Sequence, residues 1–72
     1  MKVFDVIRKY DESGVSGVGK VIEGVIFTDG TVVIKWITSM SSIAIYKSFE
    51  EFKIIHIDSH PKNETVVNMR EV

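Results

Sequence analysis

The chain has 72 residues, with 44% hydrophobic and 26% charged residues, so it has the composition of one small folded domain. Nine Lys and Arg stand against ten Asp and Glu, and this balance disfavours sequence-independent nucleic-acid binding, which needs a basic excess. The absence of cysteine excludes disulfides, thiolate metal sites and cysteine nucleophiles. No run of about 20 apolar residues could span a membrane, and we expect a cytoplasmic protein without a signal peptide.

The chain alternates short β-branched runs with turn residues, which predicts an all-β fold over residues 1–72. A first strand is predicted from Val3 to Tyr10, and its even positions are apolar except for Arg8. A loop rich in glycine and serine follows, from Asp11 to Gly19. Two further strands, Lys20 to Thr28 and Thr31 to Thr38, flank Asp29-Gly30. This dipeptide predicts a hairpin with a two-residue turn, in which residue 28 pairs with residue 31.

The second half of the chain continues the same pattern. A turn at 39–42 precedes a strand from Ile43 to Lys47. Ser48 with Glu51 forms a capping box, so one helical turn is expected near 48–52. The β-branched run Lys53 to Asp58 predicts a return to strand, and Thr65 to Arg70 a last strand. We therefore expect a small, strongly bent antiparallel barrel-like sheet of five or six strands with one short helical turn.

Both predicted hairpin strands carry apolar residues on both faces, for example Val32 and Ile34 on one side and Val33 and Ile37 on the other. A half-buried strand has one polar face. The second face is therefore expected to be covered by barrel closure or by another subunit, and a homo-oligomer is predicted.

Several sequence blocks resemble a group of small proteins of unknown function from bacteria and their phages. The group's pattern begins SGVSGTGxVxEGVxFxDGxVVxRW, and residues 13–36 match it with Val18 for Thr and Lys35 for Arg. The group's second block is matched by Ser41-Ser42, Tyr46 and Ser48, and its third block begins at Ile55-His56. The group's HGHxG turn is replaced here by the longer segment 56–63, so His60 has no aligned counterpart. The resemblance implies a phage or mobile-element setting and supplies no activity.

The loop from Ser13 to Lys20 is the first candidate binding site, because glycine amides and serine hydroxyls can surround an anion beside a lysine. It is neither a P-loop nor a dinucleotide fingerprint, and turn geometry alone also explains its glycines. Trp36 is either core packing or a stacking platform, and Lys35 either pairs with Glu23 or binds a phosphate. The candidate ligand-binding residues are Ser13, Gly14, Ser16, Gly17, Gly19, Lys20, Lys35, Trp36, Tyr46 and His56.

Two functions remain open from the sequence, and both are non-enzymatic. The first is sequestration of a small phosphorylated or nucleotide-like ligand, in a phage setting to counter host defence. The second is a protein-interaction module that inhibits a host protein through a sheet edge or an apolar patch. No metal site is predicted, because His56 and His60 have only Asp58 as a nearby third ligand. No cofactor is predicted, and no catalytic residue, because a barrel of this size hardly provides the concave pocket that an enzyme needs.

Overall fold

The computed structural model describes residues 1–11 and 17–72. Its five strands are β1 (Lys2–Arg8), β2 (Gly19–Ile26), β3 (Val32–Trp36), β4 (Ile43–Tyr46) and β5 (Thr65–Glu71). They form one antiparallel sheet in the order β4-β3-β2-β1-β5. The predicted all-β class is confirmed, as is the short helix near 48–52. The sheet is open, with β4 and β5 at its edges.

The connection between β4 and β5 is helical. Helix α1 (Phe49–Lys53) is followed by a π-helical turn (Ile54–Asp58) and a 3₁₀ turn (Pro61–Asn63). Ser48 caps α1 as predicted, with its hydroxyl accepting a hydrogen bond from the amide of Glu51. The prediction of a strand over Lys53 to Asp58 is wrong. Packing of Phe52 and Ile57 against the sheet outweighs the β preference of the isoleucines.

The helical segment covers one face of the sheet, here called the inner face. The fully buried core consists of Phe4, Val6, Val21, Ile22, Val32, Ile34 and Phe52. A bulge between Val6 and Ile7 shifts the β1–β2 register, so that consecutive residues Val21 and Ile22 are both buried. The opposite, outer face carries Asp5, Glu23 and Lys35 in one row of directly paired residues.

The β2–β3 turn is longer by one residue than predicted. Phe27 donates its amide to the carbonyl of Thr31, and Gly30 donates to the carbonyl of Phe27. With φ at +95° for Gly30, the loop is a turn followed by a left-handed glycine, the usual three-residue hairpin. Ile26 therefore pairs with Val32, and Glu23 lies directly opposite Lys35, where the predicted pairing of residue 28 with residue 31 would have placed Gly24.

Candidate functional site

One end of the sheet collects the chain's longer connections, and we call it the loop end. β1 ends there at Arg8, which pairs with Gly19 of β2 and with Thr65 of β5. β3 also ends there, at Trp36. The segment 37–42 therefore joins β3 to β4 at this end, and residues 59–64 lead from the helical segment into β5 there.

Arg8 is a buried cation at the loop end. Its side chain continues the inner-face alternation of Phe4 and Val6, and only 4% of the residue is exposed. Nη2 donates a hydrogen bond to the carbonyl of His56 over 3.2 Å. Among residues 1–11 and 17–72, its Nε has no hydrogen-bond partner, and neither does the buried hydroxyl of the paired Thr65. Unpaired buried polar atoms are rare, so this pair marks an unusual position in the core.

One ring lies over the guanidinium, and two further rings adjoin it. Its Cζ lies 5.4 Å from the centre of the Trp36 ring, within the range of a cation–π contact. The Trp36 and His56 rings meet edge to face at 5.4 Å. The Tyr46 hydroxyl and His56 Nε2 are 2.6 Å apart and hydrogen-bonded. We call Arg8, Trp36, Tyr46 and His56 the arginine–aromatic cluster.

The helical segment places His56 in this cluster. Phe52 is wholly buried one turn earlier, and its ring lies 5.4 Å from His56 and 5.5 Å from Tyr46. A strand over these residues would also place Phe52 and His56 on one face, but about 13 Å apart. The helix brings them to the same side one turn apart, which is close enough for their rings to meet.

Burial controls the ionisation of the cluster. It lowers the pKa of His56, and the charges of Arg8 and His60 lower it further. It also raises the pKa of the Tyr46 hydroxyl. The pKa of Arg8 is lowered by burial, and the charge of Asp11 opposes this shift. Near neutral pH the cluster therefore combines one guanidinium cation with a neutral imidazole and a neutral phenol.

The structure brings some of the predicted ligand residues together and separates others. Trp36, Tyr46 and His56 meet in the cluster, and Gly19 lies beside it as the partner of Arg8. Gly17 precedes β2 at the same end. Ser13, Gly14 and Ser16 lie outside the described residues.

Lys20 and Lys35 point to the outer face and not into the cluster. Lys20 Nζ lies 2.8 Å from a carboxylate oxygen of Glu23 and 3.2 Å from one of Asp5. These contacts raise the pKa of Lys20 and lower that of Asp5. The ion pair shown for Glu23 is thus with Lys20 and not with the predicted Lys35. Lys35 is exposed at the rim of a shallow groove of about 210 Å³ that Val25, Val33 and Ile43 also line.

The glycines of the predicted anion loop serve local geometry where they are described. Gly17 and Gly19 have φ of +81° and +84°, values that favour glycine. The Gly17 amide donates to a carboxylate oxygen of Asp11 over 2.6 Å. That amide is therefore already paired, and an anion would have to displace the carboxylate of Asp11 to reach it.

Arg8 is the cluster residue that sequence reasoning did not select as a ligand contact. Its signal was present, since it is the single charged residue on an otherwise apolar face of the first strand. The contact with His56 gave no such signal, because the two residues are 48 positions apart.

Two features are absent from residues 1–11 and 17–72. No group of three or more His, Cys, Asp or Glu side chains is arranged to hold a metal ion there. Within the same ranges, no helix has the length and apolar character needed to cross a membrane.

The fold and the cluster define a small open-sheet protein with a cation buried among aromatic rings at one end. The model of the Acb5 phage protein family matches residues 1–70. The chain belongs to this family, which confirms the expected membership in a family of small phage proteins. No curated protein and no solved structure matches the chain.

Proposed function

We propose that this protein is a non-enzymatic binder that sequesters a nucleotide-like ligand at the loop end and thereby counters a host defence. The observation that carries the proposal is the arginine–aromatic cluster, in which a buried guanidinium with an unpaired Nε lies among partly exposed rings. Nucleotides offer what such a cluster recognises, namely flat bases and anionic phosphates.

The two parts of the ligand would meet different groups. A base stacks against Trp36 or His56, which are both partly exposed and 5.4 Å apart. The buried charge of Arg8 attracts the phosphates toward the loop end, because a charge in a low-dielectric core is weakly screened. Lys20 and Lys35 emerge on the outer face within one residue of Gly19 and Trp36, and a ligand that extends over the strand ends would reach them.

The family gives the proposal its biological setting. A phage protein that removes a signalling nucleotide needs affinity and no chemistry, which suits a chain of 72 residues. We place its action in the cytoplasm of the infected cell, where such signals are made. The hydroxyls of Ser13 and Ser16 remain predicted ligand contacts.

A thermal-shift panel tests this function. The purified protein is heated with cyclic and linear oligonucleotides and with common mononucleotides. A ligand present at a hundredfold excess over its Kd stabilises the fold by about 2.7 kcal/mol. In a domain of this size, such a gain raises Tm by about 10–20 °C.

Matched lysine variants locate the site of any hit. Lys20→Ala at the loop end should weaken binding by about tenfold or more, the effect of losing one charged hydrogen bond. Lys2→Ala removes the same exposed charge at the other end of the sheet, where Lys2 pairs with Ile26, and should leave affinity unchanged. A panel without any Tm rise would contradict the proposal and favour the alternative of a protein that inhibits a host protein.

A further inference from the structure

The two edges of the sheet differ in their protection against pairing. β5 carries Asn68, Arg70 and Glu71, and charged edge residues discourage pairing with another strand. β4 reads Ile-Ala-Ile-Tyr, with no charge and no proline. Its outer-face side chains are strongly exposed, Ile43 at 67% and Ile45 at 71%. Within the described residues, β4 pairs only with β3, so it is an apolar strand with an open backbone edge there.

The backbone groups that face this open edge can be assigned. The amide of Trp36 donates to the carbonyl of Ser42, so Ser42 turns its polar groups toward β3. Backbone N–H and C=O groups alternate in direction along a strand. Those of Ala44 therefore also point toward β3, and those of Ile43 and Ile45 point away from β3, toward the open edge. In the part of the chain that the structure describes, the residues with the exposed side chains are therefore those with unpaired backbone groups.

We propose that β4 pairs antiparallel with β4 of a second copy, so that the two sheets join across a two-fold axis at Ala44. In this register Ile43 of each copy exchanges both backbone hydrogen bonds with Ile45 of the other. The four isoleucine side chains then lie together on the outer face, and each covers surface that is open in one chain. Such an interface is isologous, as most homodimer interfaces are.

Charge supports a second copy as the occupant. β4 is neutral, so two copies meet without like charges opposite each other, and Lys47 of one falls opposite Ser41 of the other. The net charge of −1 per chain adds little repulsion. A different dimer, in which the outer faces of two copies pack against each other, is disfavoured. It would remove the charged row of Asp5, Glu23 and Lys35 from water.

Oligomeric state gives the first test, and it does not depend on ligand binding. By light scattering at micromolar concentration, the protein should have twice the 8.1 kDa mass of one chain. Ile45→Lys should make the protein monomeric, because it would place two lysine charges among the isoleucine side chains of the interface. Val66→Lys makes the same change at a half-exposed position on the β5 edge and should leave the dimer intact. A cooperative melting transition in each variant would show that both fold, even where loss of the dimer lowers Tm.

A cysteine cross-link tests the register. The chain has no cysteine, so Ala44→Cys introduces a single thiol at the proposed axis. Directly opposed residues of a non-hydrogen-bonded pair have Cα atoms about 4.5 Å apart, within the range of a disulfide. Mild oxidation should convert this variant to a covalent dimer many times faster than the β5-edge control Asn68→Cys. Single-chain mass for the unmodified protein, or equal cross-linking of the two variants, would overturn the proposal.

Discussion

Replacing Gly24 by alanine probes the tightest packing in the core. Gly24 lies opposite Phe4 in the β1–β2 pairing, and the Phe4 ring occupies the space above it. A Cβ atom added to Gly24 would lie 2.2 Å from the tip of that ring. Such a distance is far inside van der Waals contact, so the ring must move.

The surroundings of Phe4 determine the size of the effect. The ring is 1% exposed and is held between Phe49 at 5.2 Å and Phe52 at 5.7 Å. Forcing extra volume into such a core costs about 1–3 kcal/mol. A chain of this length has a total stability of about 4–11 kcal/mol. The substitution should therefore lower Tm by about 4–24 °C.

Thermal and urea unfolding of a double-mutant cycle checks the cause. Phe4→Leu shortens the side chain above Gly24, so the penalty of Gly24→Ala should fall by at least about 1 kcal/mol in that background. An equal penalty in both backgrounds would show that the glycine acts through the strand backbone and refute the packing argument. So would a Tm change within about 2 °C for the single variant.

Three further changes test the helical segment and the cluster. The pKa of His56 is lowered in the fold, so as pH falls the unfolded chain binds this proton before the folded chain does. The free energy of unfolding should therefore fall as pH drops below about 6.5. His56→Gln should reduce this dependence of Tm on pH in melting curves. Tyr46→Phe removes the hydrogen bond to His56 and should cost about 0.5–1.5 kcal/mol in urea unfolding. Ser48→Ala removes the cap of α1 and should cost about 0.5–2 kcal/mol, against almost none for the exposed Ser39→Ala; equal losses would contradict the capping role.

The hairpin shows how far local signals determined the fold. Asp29-Gly30 located the β2–β3 turn correctly, because few residues tolerate the positive φ that the turn needs. It did not determine the loop length, since a glycine with positive φ serves both two-residue and three-residue loops. The register was therefore wrong by one residue: Glu23 lies directly opposite Lys35, although its ion pair is with Lys20.

The segment after α1 shows where local preference fails. Its isoleucines favour strand, but α1 has a capped beginning and Phe52 provides a buried anchor on the sheet. Continuing the helix from that anchor buries Ile57 and brings His56 to Tyr46. This gain depends on contacts between distant elements, and a reading of short windows does not include them.

The candidate site was partly predictable. Trp36, Tyr46 and His56 were selected for their chemistry, and the fold places them together. Lys20 and Lys35 were selected for their charge, but strand alternation turns them to the outer face. Arg8 was visible only as an exception in an apolar pattern, and only the fold brings it to Trp36 and His56.

Trp36 fluorescence tests the central claim most directly, because Trp36 is the only tryptophan and lies inside the cluster. A nucleotide that raises Tm is titrated while emission and calorimetric heat are recorded on the same samples. Binding at the loop end predicts that emission changes with the same Kd as the heat, and that Lys20→Ala shifts both curves together. Heat of binding with unchanged Trp36 emission would place the ligand elsewhere and contradict the account.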